Sequence, residues 1–391
     1  MAWQMVASPF GVAPLTPAEL ARARQYLYGG LAWGVASQCW MFALLAAAYF
    51  GGCTEAFRSW LERRIKSAWA ITALVTAALF AVVLGLLLPF DFYIAYHRER
   101  VFGFQHLTVA AWFGQWGISL VLTTVVGVIA ASVAYAWMRR TSTGARPRAG
   151  GPVWWMKIWI VLAVGVVLGV AVDPILIAPL FHRFTPLPNG PVRTEIEQLA
   201  RKAGIPHAEI LVVNASADSA HTNAYVVGIL GSQRIVIYDT LLHDETPAEI
   251  EFTVGHEIGH YVLHHLWKGI AFTVALLWVF CAILGWLYPK WAVRSRGRSP
   301  WDPAGVPLIL LILLGLLFLA APATNGFSRW EEHQADAYGL RLSQQPRGAI
   351  TGFEREEHTD LIYPDPPGWI IWWFFTHPSQ QERIDFARAV R

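Results

Sequence analysis

Charge is what this chain lacks. Only 15% of its 391 residues are Asp, Glu, Lys or Arg, against 55% hydrophobic, where a soluble domain carries about a quarter charged. That shortage points to lipid as the surrounding medium. The net charge of +3 is too small to suggest a nucleic-acid partner, and no basic tract stands out, so none is expected. Cysteine is nearly missing too. Cys39, Cys53 and Cys281 show no C-x-x-C spacing, so a disulfide framework or thiolate metal site is not expected, and the three read as inert thiols. The first 30 residues have no basic start followed by a short apolar core, and Pro14, Pro17 and Glu19 interrupt them. Targeting is therefore expected from the first membrane span.

Long apolar runs are plentiful. Six stretches, near 31–50, 68–90, 117–138, 154–181, 269–286 and 306–323, are long enough to cross a bilayer. Trp154, Trp155, Tyr288 and Trp291 lie near their ends, as interfacial anchors do. A mainly α, polytopic membrane bundle with a small α+β domain follows. Residues 1–187 form a membrane domain of four spans, and 188–391 a second domain with two spans of its own. Thr141–Pro152, rich in Gly, Pro and Arg, reads as a linker between spans.

Between Pro188 and Leu266 the composition becomes that of a soluble domain. Arg193–Ala203 has helical periodicity, while Glu209–Val213 and Arg234–Tyr238 read as strands flanking Asn223–Val227. Thr246-Pro247-Ala248-Glu249 opens a helix, with Thr as N-cap, Pro in the first helical position and Glu249 favoured by the dipole. That helix is expected to run through His265.

His256-Glu257-Ile258-Gly259-His260 is an H-E-x-x-H pattern on this helix. Positions i and i+4 share a face, so both imidazoles reach one zinc, and Glu257 is placed to take a proton from the attacking water. A catalytic zinc of this kind needs a third protein ligand. Leu263 and Leu266 rule out the extended histidine motif, and His264 on the same helix reads as a residue behind the ligands or at the surface. Glu332, in the stretch Ser328 to Asp336, is the better candidate; Ser328 reads as its helix cap. Asp336 lies one turn on, where it can accept the free N–H of a zinc-bound histidine. The same acidic pair, Glu331 and Glu332, is equally what a solvated helix start looks like.

With these residues in view the chain resembles the zinc-dependent CAAX prenyl protease 1 family over nearly its whole length. The peptidase signature of that family, H-E-x-x-H followed by S-R-x-x-E-x-x-A-D, is met by Ser328, Arg329, Glu332, Ala335 and Asp336. Further matches are Thr222-Asn223-Ala224-Tyr225 followed by Arg234–Leu242, Thr376-His377-Pro378-Ser379 with Arg383-Ile384, and Leu88-Pro89-Phe90 with Glu99 and Phe102-Gly103-Phe104. The resemblance implies that Glu332 is the third ligand, that Asp336 donates a proton or orients a ligand, and that one Zn2+ is bound per chain. It implies a peptide or protein substrate, C-terminally prenylated or otherwise membrane-associated, and contact with membrane lipid. Asn223-Ala224-Tyr225 reads as an edge strand that pairs with an extended substrate, and His377 as a donor to the oxyanion. His182, His207, His221, His243, His265 and His333 read as structural or surface residues.

Eukaryotic members of that family enclose a water-filled chamber with seven spans, one more than is counted here. A heat-shock membrane protease family shares the zinc motifs but lacks so long an N-terminal membrane half. A catalytically inactive scaffold would have no use for Glu257, and a metal transporter would carry its ligands within its spans. The loops opposite the zinc motif hold Arg58, Arg63, Arg64, Lys66, Arg139, Arg140, Arg146, Arg148, Lys157, Lys290, Arg294, Arg296 and Arg298. The positive-inside rule thus sets the zinc domain outside the cytoplasm, whereas the family resemblance sets it inside. A reporter enzyme fused to Arg391 separates the two, and activity only in a cytoplasmic reporter refutes the charge count.

Overall fold

The computed structural model describes residues 11–142, 154–172, 178–228, 233–296 and 299–390. The membrane half begins with α1 (Pro17–Phe50), α2 (Cys53–Glu62) and α3 (Ala68–Phe92), which passes through a π-helical turn (Tyr93–Arg98) into the short α4 (Glu99–Phe102). Next come α5 (Val109–Ser142), α6 (Trp154–Val172) and α7 (Ala178–Phe181). The soluble part comprises β1 (Phe184–Pro186), α8 (Pro191–Lys202), β2 (Glu209–Val213), β3 (Ala224–Val227), β4 (Arg234–Tyr238), α9 (Asp239–Asp244) and α10 (Pro247–Val262). Two long helices, α11 (His265–Arg296) and α12 (Val306–Ser343), return to the membrane, and α13 (Pro346–Thr359), α14 (Gly368–Phe374) and α15 (Gln380–Ala389) close the chain.

Among the described residues six helices are long and apolar enough to span a bilayer, in the six places the sequence indicates. Their outward faces carry large apolar side chains: Val126, Trp69 and Leu319 are more than 60% exposed, which water would penalise and hydrocarbon does not. Inside the bundle, Leu45 and Tyr49 of α1 meet Leu79 of α3, Tyr135 of α5, Tyr288 of α11 and Leu308 of α12 in one core.

Three expectations are corrected. Apolar runs mark only the lipid-embedded part of a helix, so the helices outlast them. α1 begins at Pro17, well ahead of the apolar run at 31–50, and α12 carries the last span through to Ser343 without a break. Ser328 is therefore mid-helix and caps nothing. The zinc-motif helix stops at Val262, because His264 takes a left-handed conformation (φ 58°), and His265 starts α11. Most of the 141–152 linker lies outside the described residues.

The sheet has the order β1-β2-β4-β3, with β2 and β4 parallel and the two outer strands antiparallel. β3 is thus an edge strand, bonded on one side to β4 with Ala224 opposite Ile237. One face of the sheet buries Ile210, Ile235 and Ile237 against Ile250, Val254 and Ile258 of α10. This alternation along the strands fixes which side of α10 faces the sheet. The start of α10 is held by Glu249, whose carboxylate accepts from the Thr246 N–H at 2.7 Å and from Arg355 of α13 at 3.0 and 3.2 Å.

Glycines decide how near α10 and α12 come. A Cβ on Gly339 would lie 2.8 Å from the backbone nitrogen of His256, and one on Gly259 would lie 3.1 Å from Tyr338. Only hydrogen side chains allow this approach, and it sets the polar end of α12 beside His256.

Candidate active site

Turning by 100° per residue, α10 directs His256 and His260 to the same side, and their Nε2 atoms are 3.0 Å apart. Glu332 reaches in from α12, its carboxylate 3.3 Å from His256 Nε2 and 3.5 Å from His260 Nε2. Glu257 lies 3.9 Å from His256 Nε2. His256, Glu257 and His260 form a group tight enough to hold a metal ion, yet Glu332 is nearer than Glu257 to His256 Nε2. Spacing thus favours Glu332 over Glu257 as the ligand carboxylate.

Behind these groups runs a chain of hydrogen bonds. His256 Nδ1 donates to Asp336 at 2.8 Å, and Arg383 of α15 grips the same carboxylate with bonds of 3.0 and 2.7 Å. Asp336 is 1% exposed, so its charge needs the Arg383 partner. His260 Nδ1 lies 3.0 Å from Nδ1 of the buried His265. His377, half exposed, brings Nε2 to 3.4 Å from Glu332 and takes a 2.9 Å contact from Thr376 at its other nitrogen. His264 is exposed.

Electrostatics single out a place for a cation. Burial works against a proton on His256, but the Asp336 and Glu332 carboxylates outweigh it and hold the imidazole up at about 10. Burial and the neighbouring His256 push His260 down to about 3, so it is neutral. Burial, partly offset by His256, pushes Glu257 up to about 7. With His256 Nδ1–H given to Asp336, its Nε2 faces the Nε2 lone pair of neutral His260 and the buried Glu332 Oε2, so the positive charge that the carboxylates hold on His256 sits where the three groups meet. Once that proton leaves, two imidazole lone pairs and a carboxylate oxygen converge there, and they repel each other unless a cation takes its place. The donor set, two nitrogens and one oxygen, suits zinc.

A cavity of about 570 Å3 opens from the site, lined by His256, Glu257, His377 and Arg383 together with Asn223 and Ala224 at the mouth of β3. Its remaining walls include Phe252, Phe353, Phe374 and Phe375. The ring of Tyr225 turns to the other face of the sheet and packs on Tyr238, as alternation along a strand requires.

Sequence reasoning passed over two contributors. Arg383 was visible only as part of a motif, and its bond to Asp336 spans 47 residues. His265 carries no sequence signal that sets it apart from the other structural histidines; the break at His264 is what turns its ring onto His260.

Comparison with known proteins places these features in company. The model of peptidase family M48 matches residues 186–391, and that of the CAAX prenyl protease N-terminal region, described as five membrane helices, matches residues 9–183. The described part of the latter interval contains four helices of spanning length. The chain is 29% identical to the Bacillus subtilis metalloprotease YhfN, over 95% of this chain and 86% of that one. It is 30% identical to the CAAX prenyl protease 1 homolog of Caenorhabditis elegans, covering 77% and 73% of the two chains. With CAAX prenyl protease 1 of Saccharomyces cerevisiae it shares 30% identity, covering 76% and 67%. The crystal structure of S. mikatae Ste24p superposes with a TM-score of 0.79 at 24% identity, covering 95% of this chain and 89% of that one.

Proposed function

Because the chain belongs to peptidase family M48, as an integral-membrane metalloendopeptidase of the CAAX prenyl protease type, we propose that it cleaves peptide bonds with a single zinc ion held by His256, His260 and Glu332. The observation that carries this reading is the convergence of the two Nε2 atoms on a buried carboxylate with an orphaned oxygen. When bound there, zinc supplies Lewis acidity towards a water and the scissile carbonyl. Residues 1–187 serve as the membrane domain and 188–391 as the peptidase.

Each side chain has a task. The substrate enters the cavity extended and adds as a strand to the open edge of β3 at Asn223, Ala224 and Tyr225. Backbone pairing of this kind is indifferent to sequence, so selectivity falls to the aromatic walls, which suit apolar or lipidated segments. Glu257 takes the proton of the attacking water and passes it to the leaving amide nitrogen, a transfer helped by a carboxylate whose burial brings it near neutrality. Asp336 keeps the proton of His256 on Nδ1, so that Nε2 stays a ligand, and Arg383 keeps Asp336 charged. His377 stands beside the site, where an N–H can meet the developing oxyanion.

Detergent-purified protein tests this directly, with farnesylated and unmodified peptides as substrates. The Glu257→Gln variant should keep its zinc and lose about 10²–10⁴-fold in cleavage rate. A variant that cleaves like the parent, or a parent that binds no zinc, refutes the proposal. Preference for the farnesylated peptide identifies the lipid-bearing class as substrate; equal cleavage makes membrane-associated peptides in general the substrates.

A further inference from the structure

Two residues before Asn223, the ring of His221 lies between carboxylates from distant parts of the chain. Nδ1 is 2.6 Å from Asp360, just after α13, and Nε2 is 3.3 Å from Glu99 in α4, at the end of the second membrane helix. Phe104 stacks on the ring at a centroid distance of 4.1 Å, nearly parallel. The two carboxylates are themselves built in. Glu99 accepts from Tyr26 of α1 at 2.9 Å and from Arg98 at 2.7 Å; Asp360 accepts from Thr222 and Thr359, each at 3.1 Å.

The backbone makes the same connection. Ala220 N–H donates to Phe104 C=O, and His106 N–H to Asp218 C=O, both at 3.0 Å, with Gln105 bridged to Ser219. The loop between α4 and α5 therefore runs antiparallel to 218–220, which continues through His221 into β3. Thr240 pins the turn by donating to the His221 carbonyl at 2.8 Å.

An edge strand has a ladder on one side only, so its entry is free to shift unless something else holds it. Here Tyr238 N–H donates to Asn223 C=O on the β4 side, and the opposite edge is the one left for substrate. We infer that His221, clamped between Glu99 and Asp360, is a positioning residue that fixes the start of the substrate-pairing strand and ties it to the membrane half. This rests on the proposed pairing of substrate with Asn223–Tyr225.

The clamp carries a sign. Burial lowers the affinity of His221 for a proton, but Asp360 and Glu99 overcome it and hold the ring up at about 9. Arg98 and Tyr26 reach this ring only through Glu99. Below that pH the imidazolium bridges two anions. Above it the ring can donate at only one nitrogen, and one of the two carboxylates is left facing a bare lone pair.

The test is peptide cleavage by the full-length protein from pH 7 to 10. In the parent protein KM should climb as pH rises through about 9. His221→Gln should raise KM about tenfold at pH 7, with the effect falling in KM rather than kcat, and lose that alkaline climb. Glu99→Gln, 122 residues away in the membrane half, should reproduce the rise in KM. His221→Arg, with a permanent charge, should restore a low KM that no longer depends on pH. A change in kcat alone, an alkaline climb that survives in His221→Gln, or a parent-like KM in Glu99→Gln overturns the inference. A peptide N-methylated at its pairing amides keeps the two readings apart. If methylation leaves the parent KM unaltered, strand pairing fails and the clamp falls with it. If methylation raises KM while the His221 and Glu99 variants behave like the parent, only the clamp fails.

Discussion

Gly339→Ala adds one methyl group at the crossing of α10 and α12, and its consequence follows from the distances there. The new Cβ would lie 2.8 Å from the nitrogen and 3.0 Å from the Cα of His256. Ordinary contact begins at 3.4 Å, so the shortfall is about 0.6 Å. Both opposing atoms are backbone, so no rotamer change relieves the overlap and the helices must part. Asp336 lies one turn, and Glu332 two turns, before Gly339 on the same helix. Parting therefore stretches the 2.8 Å His256–Asp336 bond and the 3.3 Å approach of Glu332 together. Overpacking of this kind costs about 1–3 kcal/mol, and a displacement approaching 1 Å at a site of chemistry costs about 10²-fold in rate. The assay is kcat/KM on a peptide substrate with zinc content and thermal unfolding measured on the same preparation. Gly315→Ala is the control: it lies on the same helix, and nothing is within 4 Å of its added Cβ. A Gly339→Ala protein that keeps its zinc and cleaves within about threefold of the parent would refute the argument that this contact sets the site.

Three more outcomes follow from the same geometry. Asp336→Asn should weaken zinc binding about 10–100-fold, read by chelator competition, because an amide no longer fixes the His256 tautomer; parent-like affinity counts against its role. Arg355→Ala should cost about 3 kcal/mol at pH 7, read as a lower unfolding temperature, by leaving the Glu249 carboxylate buried without its partner. Burial raises the pKa of Glu249, but the Arg355 and Thr246 hydrogen bonds more than offset it, so the folded value lies below the unfolded one. The stabilisation is thus complete above the unfolded pKa and fades as pH falls through the folded value; an unfolding temperature of the parent that does not drop at acid pH contradicts this. Stripping the metal with a chelator should abolish cleavage, and added zinc should restore it; activity that survives chelation would rule out the metal mechanism.

What the linear order of residues could reveal was whatever repeats at short range. Six apolar runs mark helices in lipid, because burial of backbone polar groups in hydrocarbon leaves a helix as the only open-ended choice. The N-cap at Thr246 and the i, i+4 spacing of His256 and His260 are likewise local, as are the branched strands at Glu209–Val213 and Arg234–Tyr238, whose bounds agree with the fold. Helix ends were misjudged for a local reason as well. Hydropathy falls where lipid ends, not where hydrogen bonding ends, so Ser328 looked like a cap inside a helix of 38 residues.

Contacts between remote segments belonged to the tertiary structure alone. Glu331 and Glu332 are indistinguishable in composition; the spacing to Asp336 and the family motif favour Glu332, but the crossing of α10 and α12 at Gly255, Gly259 and Gly339 is what sets it against the histidines. The grip of Arg383 on Asp336 and the clamp of Glu99 and Asp360 on His221 join residues 47 to 139 positions apart. A motif states which groups are present and which face of a helix they share. Which distant charge neutralises them depends on how the helices pack, and that is set by contact volumes the sequence pattern does not display.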